Sequence, residues 1–188
     1  MISHVSHQRQ LEMIEAIDNP LPGITILKLF RQEDARGSFQ KIYNETLFLQ
    51  QCIDFTPKEC FISQSGRNIL RGMHYQGAPR AQTKLISCIS GTILDVVVNI
   101  DKGSAYFGRV FTIELQGGDN TGILVSSNYA HGFYCLGEDN IVAYLASEVY
   151  YPEHDAGVLW SSIDYEWPTD SPVVSERDLK HPRLGDLQ

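Results

Sequence analysis

Between Cys60 and Leu94 the sequence has no aspartate or glutamate, although acidic side chains outnumber basic ones 23 to 15 over its 188 residues. That window holds Arg67, Arg71, His74, Arg80 and Lys84. Two readings stand. The gap marks a basic pocket for a small anion, since guanidinium groups grip phosphate with two parallel hydrogen bonds, or it leaves an ordinary solvated face. Long apolar runs are also missing. The most hydrophobic stretch, Ile93 to Ile100, already contains Asp95 and Asn99, and a spanning helix needs about 20 apolar residues. A membrane partner is therefore not expected. The N-terminus lacks the apolar core of a signal peptide. A net charge of −8 and a pI near 5.1 argue against nucleic acid, whose phosphates demand a broad basic surface. No C-x-x-C occurs. Cys52, Cys60, Cys88 and Cys135 have apolar neighbours and read as free, buried thiols, which suits a reducing cytoplasm.

Familiar catalytic signatures are absent as well. There is no G-x-S-x-G elbow, P-loop or G-x-G-x-x-G, which removes support for nucleophilic hydrolysis and for Rossmann chemistry. Metal sites of β-sandwiches commonly present His-x-His with a Glu and a further His. Here the histidines are single, and Glu59 is the one acid within 15 residues of His74. The expectation is a site with no metal and no cofactor.

What the chain does contain is strand signal. Residues 8–18 have Leu11, Ile14 and Ile17 on one helical face and read as a short helix, stopped by Asn19-Pro20 and Pro22-Gly23. Ile24–Phe30 and Gly37–Tyr43 read as strands, and Asn44–Ile53 as a helical turn or two behind an Asn cap. From Lys84 onward strand segments recur: 84–89, 92–100, 107–115, 122–126, 132–136 and 141–147. Clusters of Gly, Asn, Asp and Ser separate them. No β–α alternation appears. The tail from Trp167 carries Pro168, Pro172 and Pro182 and reads as an extended wrap. The fold expected is one all-β sandwich over residues 23–188, with residues 1–22 as an N-terminal extension to which no role is assigned. A chain this long buries about 70% of its unfolded surface.

Leu70-Arg71-Gly72-Met73-His74-Tyr75-Gln76 is denser in chemistry than a structural strand requires, and a second histidine follows in Tyr129-Ala130-His131-Gly132-Phe133. Singly, each histidine reads as structural. Together, on strands of one small sandwich, their side chains can face the same interior. His4, His7, His154 and His181 stand in polar or terminal surroundings and are set aside. A set of His, Lys, Tyr and Asp without metal suffices for proton transfer beside a carbonyl.

These segments resemble the dTDP-4-dehydrorhamnose 3,5-epimerases. Arg71-Gly72-Met73-His74-Tyr75-Gln76, Ala81-Gln82-x-Lys84-Leu85, Gly91-x-x-x-Asp95, Gly103-Ser104-x-x-Phe107-Gly108 and Ala130-His131-Gly132-Phe133 recur in that order. So do Tyr150-Tyr151-Pro152, Glu166-Trp167-Pro168 and Ser175-Glu176-Arg177-Asp178. The resemblance implies a cupin-type jelly roll and a homodimer whose N-terminal strands cross to the partner. It further implies a nucleotide-diphosphate 4-keto-6-deoxyhexose substrate, epimerised at carbons 3 and 5 without a cofactor. By the same resemblance His74 is the base, Asp178 its orienting carboxylate, Lys84 the cation at the enolate oxygen and Tyr144 the opposite proton donor. Read alone, the apolar run favours Tyr144 as a core tyrosine. Arg71, His131 and Arg36 match substrate or diphosphate contacts, as do Tyr150, Asp155 and Arg177. The family's Gln-x-Asn-x-Ser, among its nucleotide contacts, is here Glu59-Cys60-Phe61-Ile62-Ser63. This departure raises the expectation of a changed nucleotide, cytidine or guanosine diphosphate, or of a single inverted centre.

Overall fold

A computed structural model describes residues 13–187. Thirteen strands form three antiparallel sheets. In chain order they are β1 Glu15–Asp18, β2 Ile24–Lys28, β3 Phe30–Asp34, β4 Gly37–Lys41, β5 Glu59–Gly66, β6 Leu70–Gln76 and β7 Lys84–Ser90. These are followed by β8 Thr92–Asn99, β9 Val110–Gln116, β10 Thr121–Val125, β11 Tyr129–Cys135, β12 Asp139–Ala146 and β13 Asp155–Gly157. One sheet runs β1-β2-β10-β7-β12-β5, the second β13-β6-β11-β8-β9, and β3-β4 form a separate hairpin. The single α-helix among the described residues, α1 Glu45–Gln50, is capped by Asn44, whose side chain accepts from the Leu47 N–H. The all-β jelly roll expected from the sequence is present.

Strand periodicity explains the core. Alternate residues of each strand face the gap between the two large sheets, so Ile86 and Cys88 of β7, Val142 of β12, Ile93 and Val97 of β8, and Phe133 of β11 fill it. Such side chains contribute about 1.5–3 kcal/mol each when fully buried. The outer face of the five-stranded sheet is covered by the C-terminal tail, which brings Leu184 and Leu187 against Val96, Val98 and Met73. The outer face of the other sheet meets Phe48 of α1 and Phe55.

Three expectations need correction. The helix over 8–18 does not form where the chain is described. Glu15–Asp18 pairs with β2 instead, satisfying its backbone on the sheet edge, while Ile14 is buried with Leu27 and Phe48. Leu11 lies outside the described residues. Cys52 and Cys60 are exposed, one after α1 and one on edge strand β5; Cys88 and Cys135 are buried as expected. The strand β5 was not read from sequence.

One irregularity places the site. His131 pairs with His74 and Phe133 with Arg71, so β6 carries one more residue than β11 between those pairs. This bulge centres on Gly72 (φ +138°), and Gly132 opposes it closely. Arg71 and His74, an odd number of residues apart, belong on opposite faces of a regular strand; the extra residue turns both to the same side. A Cβ on Gly132 would lie 2.8 Å from the Arg71 carbonyl oxygen and 3.1 Å from the Gly72 Cα. Gly132→Ala should therefore cost about 2 kcal/mol or more of stability, measured by urea denaturation; a loss below about 0.5 kcal/mol would contradict this account.

Candidate active site

The inner faces of the two large sheets separate at one end into a cavity of about 360 Å³. On one wall β5 contributes Glu59, Phe61 and Ser63, every second residue, with Lys84 of β7 and Tyr144 of β12. The face of β7 that buries Ile86 in the core thus presents Lys84 to the cavity, and the face of β12 that buries Val142 presents Tyr144. The other wall is Arg71 and His74 of β6 and His131 of β11. Facing sheets stand about 10 Å apart, so His74 and Tyr144 look into the same cavity from opposite walls. Tyr150, Asp155 and Arg177 close the rim.

His74 Nε2 lies 2.7 Å from Asp178 Oδ1. Asp178 is buried, and its other oxygen accepts from the Gly72 N–H at 3.2 Å. Burial alone would raise this carboxyl. The His74 hydrogen bond and charge and the Gly72 amide outweigh it and hold it below the usual carboxylate range. With Nε2 donating to Asp178, Nδ1 of His74 is left to accept a proton. A second pair lines the same wall: His131 Nε2 meets Asp95 Oδ2 at 2.7 Å, both buried, and Asp95 Oδ1 has no hydrogen-bond partner.

Lys84 is pushed down to about 8 by burial, with Asp155 opposing and Arg177 reinforcing the shift. Tyr144 is driven well above the ordinary phenol range, first by burial and then by the charge of Asp95, with Arg71 opposing. Phe61 stacks on it, centroids 4.7 Å apart and planes at 11°. Arg71 is held by Ser65 Oγ (2.8 Å) and the Gln64 carbonyl. Arg177 pairs with Asp155 at 2.7 Å, and the Tyr150 hydroxyl donates to the same carboxylate.

The residues singled out from the sequence line the cavity, except Asp178, which is buried and reaches it only through His74, and Arg36. Arg36 sits on the β3-β4 hairpin, exposed and paired with Asp34, outside this cavity. Within the acid-free window both readings hold in part: Arg71 and Lys84 line the cavity, whereas Arg67 pairs with Glu138, and Arg80 pairs with Glu148 over the Tyr151 ring. His181, set aside from sequence, is the main correction. It lies 3.6 Å from Asp178 Oδ1, with its ring edge-on to His74. The signal was the D-x-x-H spacing, which a 3-10 turn brings to one side. Asp95 had a signal of its own, an acid inside the most apolar run, which needs a buried partner.

Among the described residues, His74, Asp178 and His181 form the one group of metal-binding side-chain types, with their atoms within 4.8 Å of one another. Lys84, Arg71 and Arg177 bring three cations to the adjoining cavity. A dication would meet like charge there, and the short His74–Asp178 contact is that of a hydrogen bond.

The sequence profile of the dTDP-4-dehydrorhamnose 3,5-epimerase family matches residues 18–186. The chain is 30% identical over 178 residues to the dTDP-4-dehydrorhamnose 3,5-epimerase of Shigella flexneri, across 92% of this chain and 97% of that one. Among solved structures it is similar to the dTDP-4-dehydrorhamnose 3,5-epimerase of Bacillus anthracis with TDP and PPi bound. There the TM-score is 0.86 and the identity 32%, over 90% of this chain and 99% of that one. It is also similar to the dTDP-6-deoxy-D-glucose-3,5-epimerase of Legionella pneumophila in complex with dTDP-4-keto-L-rhamnose. In that case the TM-score is 0.87 and the identity 26%, over 93% and 95% of the two chains. A cupin-type sandwich whose two inner walls carry an imidazole and a phenol, with matches across nearly its whole length, belongs to the dTDP-4-dehydrorhamnose 3,5-epimerase family of sugar-nucleotide isomerases.

Proposed function

We propose that the protein inverts carbons 3 and 5 of a nucleoside-diphosphate 4-keto-6-deoxyhexose, in the first instance dTDP-linked, through an enolate. The observation that carries this reading is the placement of His74 and Tyr144 on facing sheets of one cavity, with Lys84 beside them. His74 Nδ1 takes the proton from carbon 3, and the C–H electrons move into the ring and onto the ketone oxygen. The Lys84 ammonium holds that oxygen; donors of this kind are worth about 3–4 kcal/mol. Tyr144 then delivers a proton to the opposite face of the carbon as the enolate collapses. Its raised affinity keeps the phenol neutral at working pH, so it enters as an acid and recovers its proton from solvent. Asp178 fixes the His74 tautomer and steadies the imidazolium. Once the His74 imidazolium has released its proton to solvent, the same sequence at carbon 5 completes the reaction, with no net change in oxidation state.

Arg71 and Arg177 supply positive charge for the diphosphate, and His131, Tyr150 and Asp155 contact the substrate. Arg36 completes a site only across subunits: in a homodimer with exchanged N-terminal strands, its exposed hairpin would reach the partner's cavity. A second reading of the same chemistry comes from β5. Glu59 Oε2 is buried without a partner, and Phe61 covers Tyr144. An acceptor-rich, aromatic wall where the family has Gln and Asn favours a nucleotide other than thymidine diphosphate, cytidine or guanosine diphosphate, or inversion of one centre.

Proton NMR in deuterated water tests these readings together. With dTDP-4-keto-6-deoxyglucose the carbon-3 and carbon-5 proton signals should disappear. Exchange with the CDP- or GDP-linked sugar alone would select the second reading, and exchange with none of them would remove the epimerase reading. His74→Gln should lower the exchange rate by about 10²–10⁴-fold. Tyr144→Phe should still exchange carbon 3, because the base can return a deuteron to the same face, but should lose inversion. An inverting Tyr144→Phe enzyme would take Tyr144 out of the mechanism.

The Lys84 ammonium is needed and its pKa is near 8. Since the charge is lost as pH rises through that value, kcat/KM should fall on the alkaline side of about pH 8. In Lys84→Arg, which stays charged, that fall should vanish while the plateau is lower. A pH–rate profile of both proteins checks the sign.

A further inference from the structure

His181 has a seat made for it. The 3-10 turn Asp178–Lys180 ends at this residue, so Asp178 and His181, three apart, project to one side. The imidazole is almost wholly buried, and its Nε2 has no hydrogen-bond partner, 3.6 Å from Asp178 Oδ1. Its ring stands at 75° to that of His74, centroids 5.7 Å apart. It lies directly over Gly157, where a Cβ would come within 2.4–2.6 Å of the ring atoms. Gly157 is the β13 residue that pairs with His74 across the sheet. The next residue is clamped: the Pro182 carbonyl accepts from the Leu159 N–H at 2.8 Å. Nothing in this packing calls for a nitrogen at the Asp178 side of the ring.

We propose that His181 is a positioning residue, which shares the Asp178 carboxylate with His74 and so limits how strongly that carboxylate retains a proton on the His74 base. This inference rests on His74 acting as the base. Burial, followed by the charge of His74, makes protonation of His181 unfavourable, so it faces Asp178 as a neutral ring. The carboxylate favours the tautomer with a proton on Nε2, whose N–H dipole acts on Oδ1 electrostatically at 3.6 Å, beyond hydrogen-bond distance. Part of the negative potential that would stabilise the His74 imidazolium is thereby spent on a second ring. The other charged groups around His181 are Arg177, just before the turn, and Asp155 on β13, which are paired at 2.7 Å and act on the ring in opposite directions. Lys84 of β7 feels both of them across the cavity. The net effect of His181 is a base that stays free of a resting proton to lower pH.

The test compares His181→Phe, which keeps the ring's bulk, with His181→Ala and with His181→Gln, which restores an N–H donor. The acidic limb of kcat/KM should move to higher pH by about half a unit in the Phe and Ala proteins. That is about a threefold loss of kcat/KM below the limb. The Gln protein should lie closer to the parent. A limb that stays within about 0.2 unit, or moves to lower pH, in every folded variant overturns the proposal. So does a uniform fall in kcat with no change in the pH profile. Nitrogen-15 titration of the His74 ring, assigned by its absence in His74→Gln, reads the same displacement without substrate. A ring that shifts in a protein without turnover would leave this inference standing while the epimerase reading fails.

Discussion

The contact between Asp178 and the bulged stretch of β6 governs the site. A buried carboxylate is costly unless its oxygens are occupied. This one is met by the His74 ring at 2.7 Å and the Gly72 amide at 3.2 Å. Both donors come from the stretch whose irregularity turns His74 and Arg71 to the same side. One interaction therefore sets the imidazole's orientation, anchors the C-terminal segment and satisfies an amide at the bulge.

The rest of the cavity follows from sandwich geometry. Strand alternation lets one face of a sheet be apolar at depth and polar at the mouth. Ile86 gives way to Lys84, and Val142 to Tyr144. Opposed walls are what an inversion at carbon needs, since a base and an acid must address the same atom from different sides. A sandwich supplies that separation without a lid or a second domain.

The strands from Lys84 to Ala146 were legible because β-branched runs alternate with Gly, Asn and Asp clusters. β5 was not, because Glu59–Gly66 is an edge strand in which polar residues fall on both faces and break the apolar alternation. The N-terminal stretch had helical spacing, but its pairing partner, β2, lies outside the window that periodicity examines. In the site, the acid-free window located the cations. The acids that organise them, Asp95, Asp155 and Asp178, come from distant segments that no local pattern connects to His74. His181 did carry a local signal, the carboxylate three residues earlier, but the glycine beneath its ring lies on another strand.

The bond between Asp178 and Gly72 spans 106 residues of chain, and closing so wide a loop is among the slower events in assembling a β protein. A polypeptide emerging N-terminus first displays β6, β7, β11 and β12 well before its carboxylate partner exists. During that interval the imidazole has neither a fixed tautomer nor a buried neighbour. A chain that lacks Asp178 keeps the cavity-lining strands but leaves the His74 ring without the carboxylate it bonds.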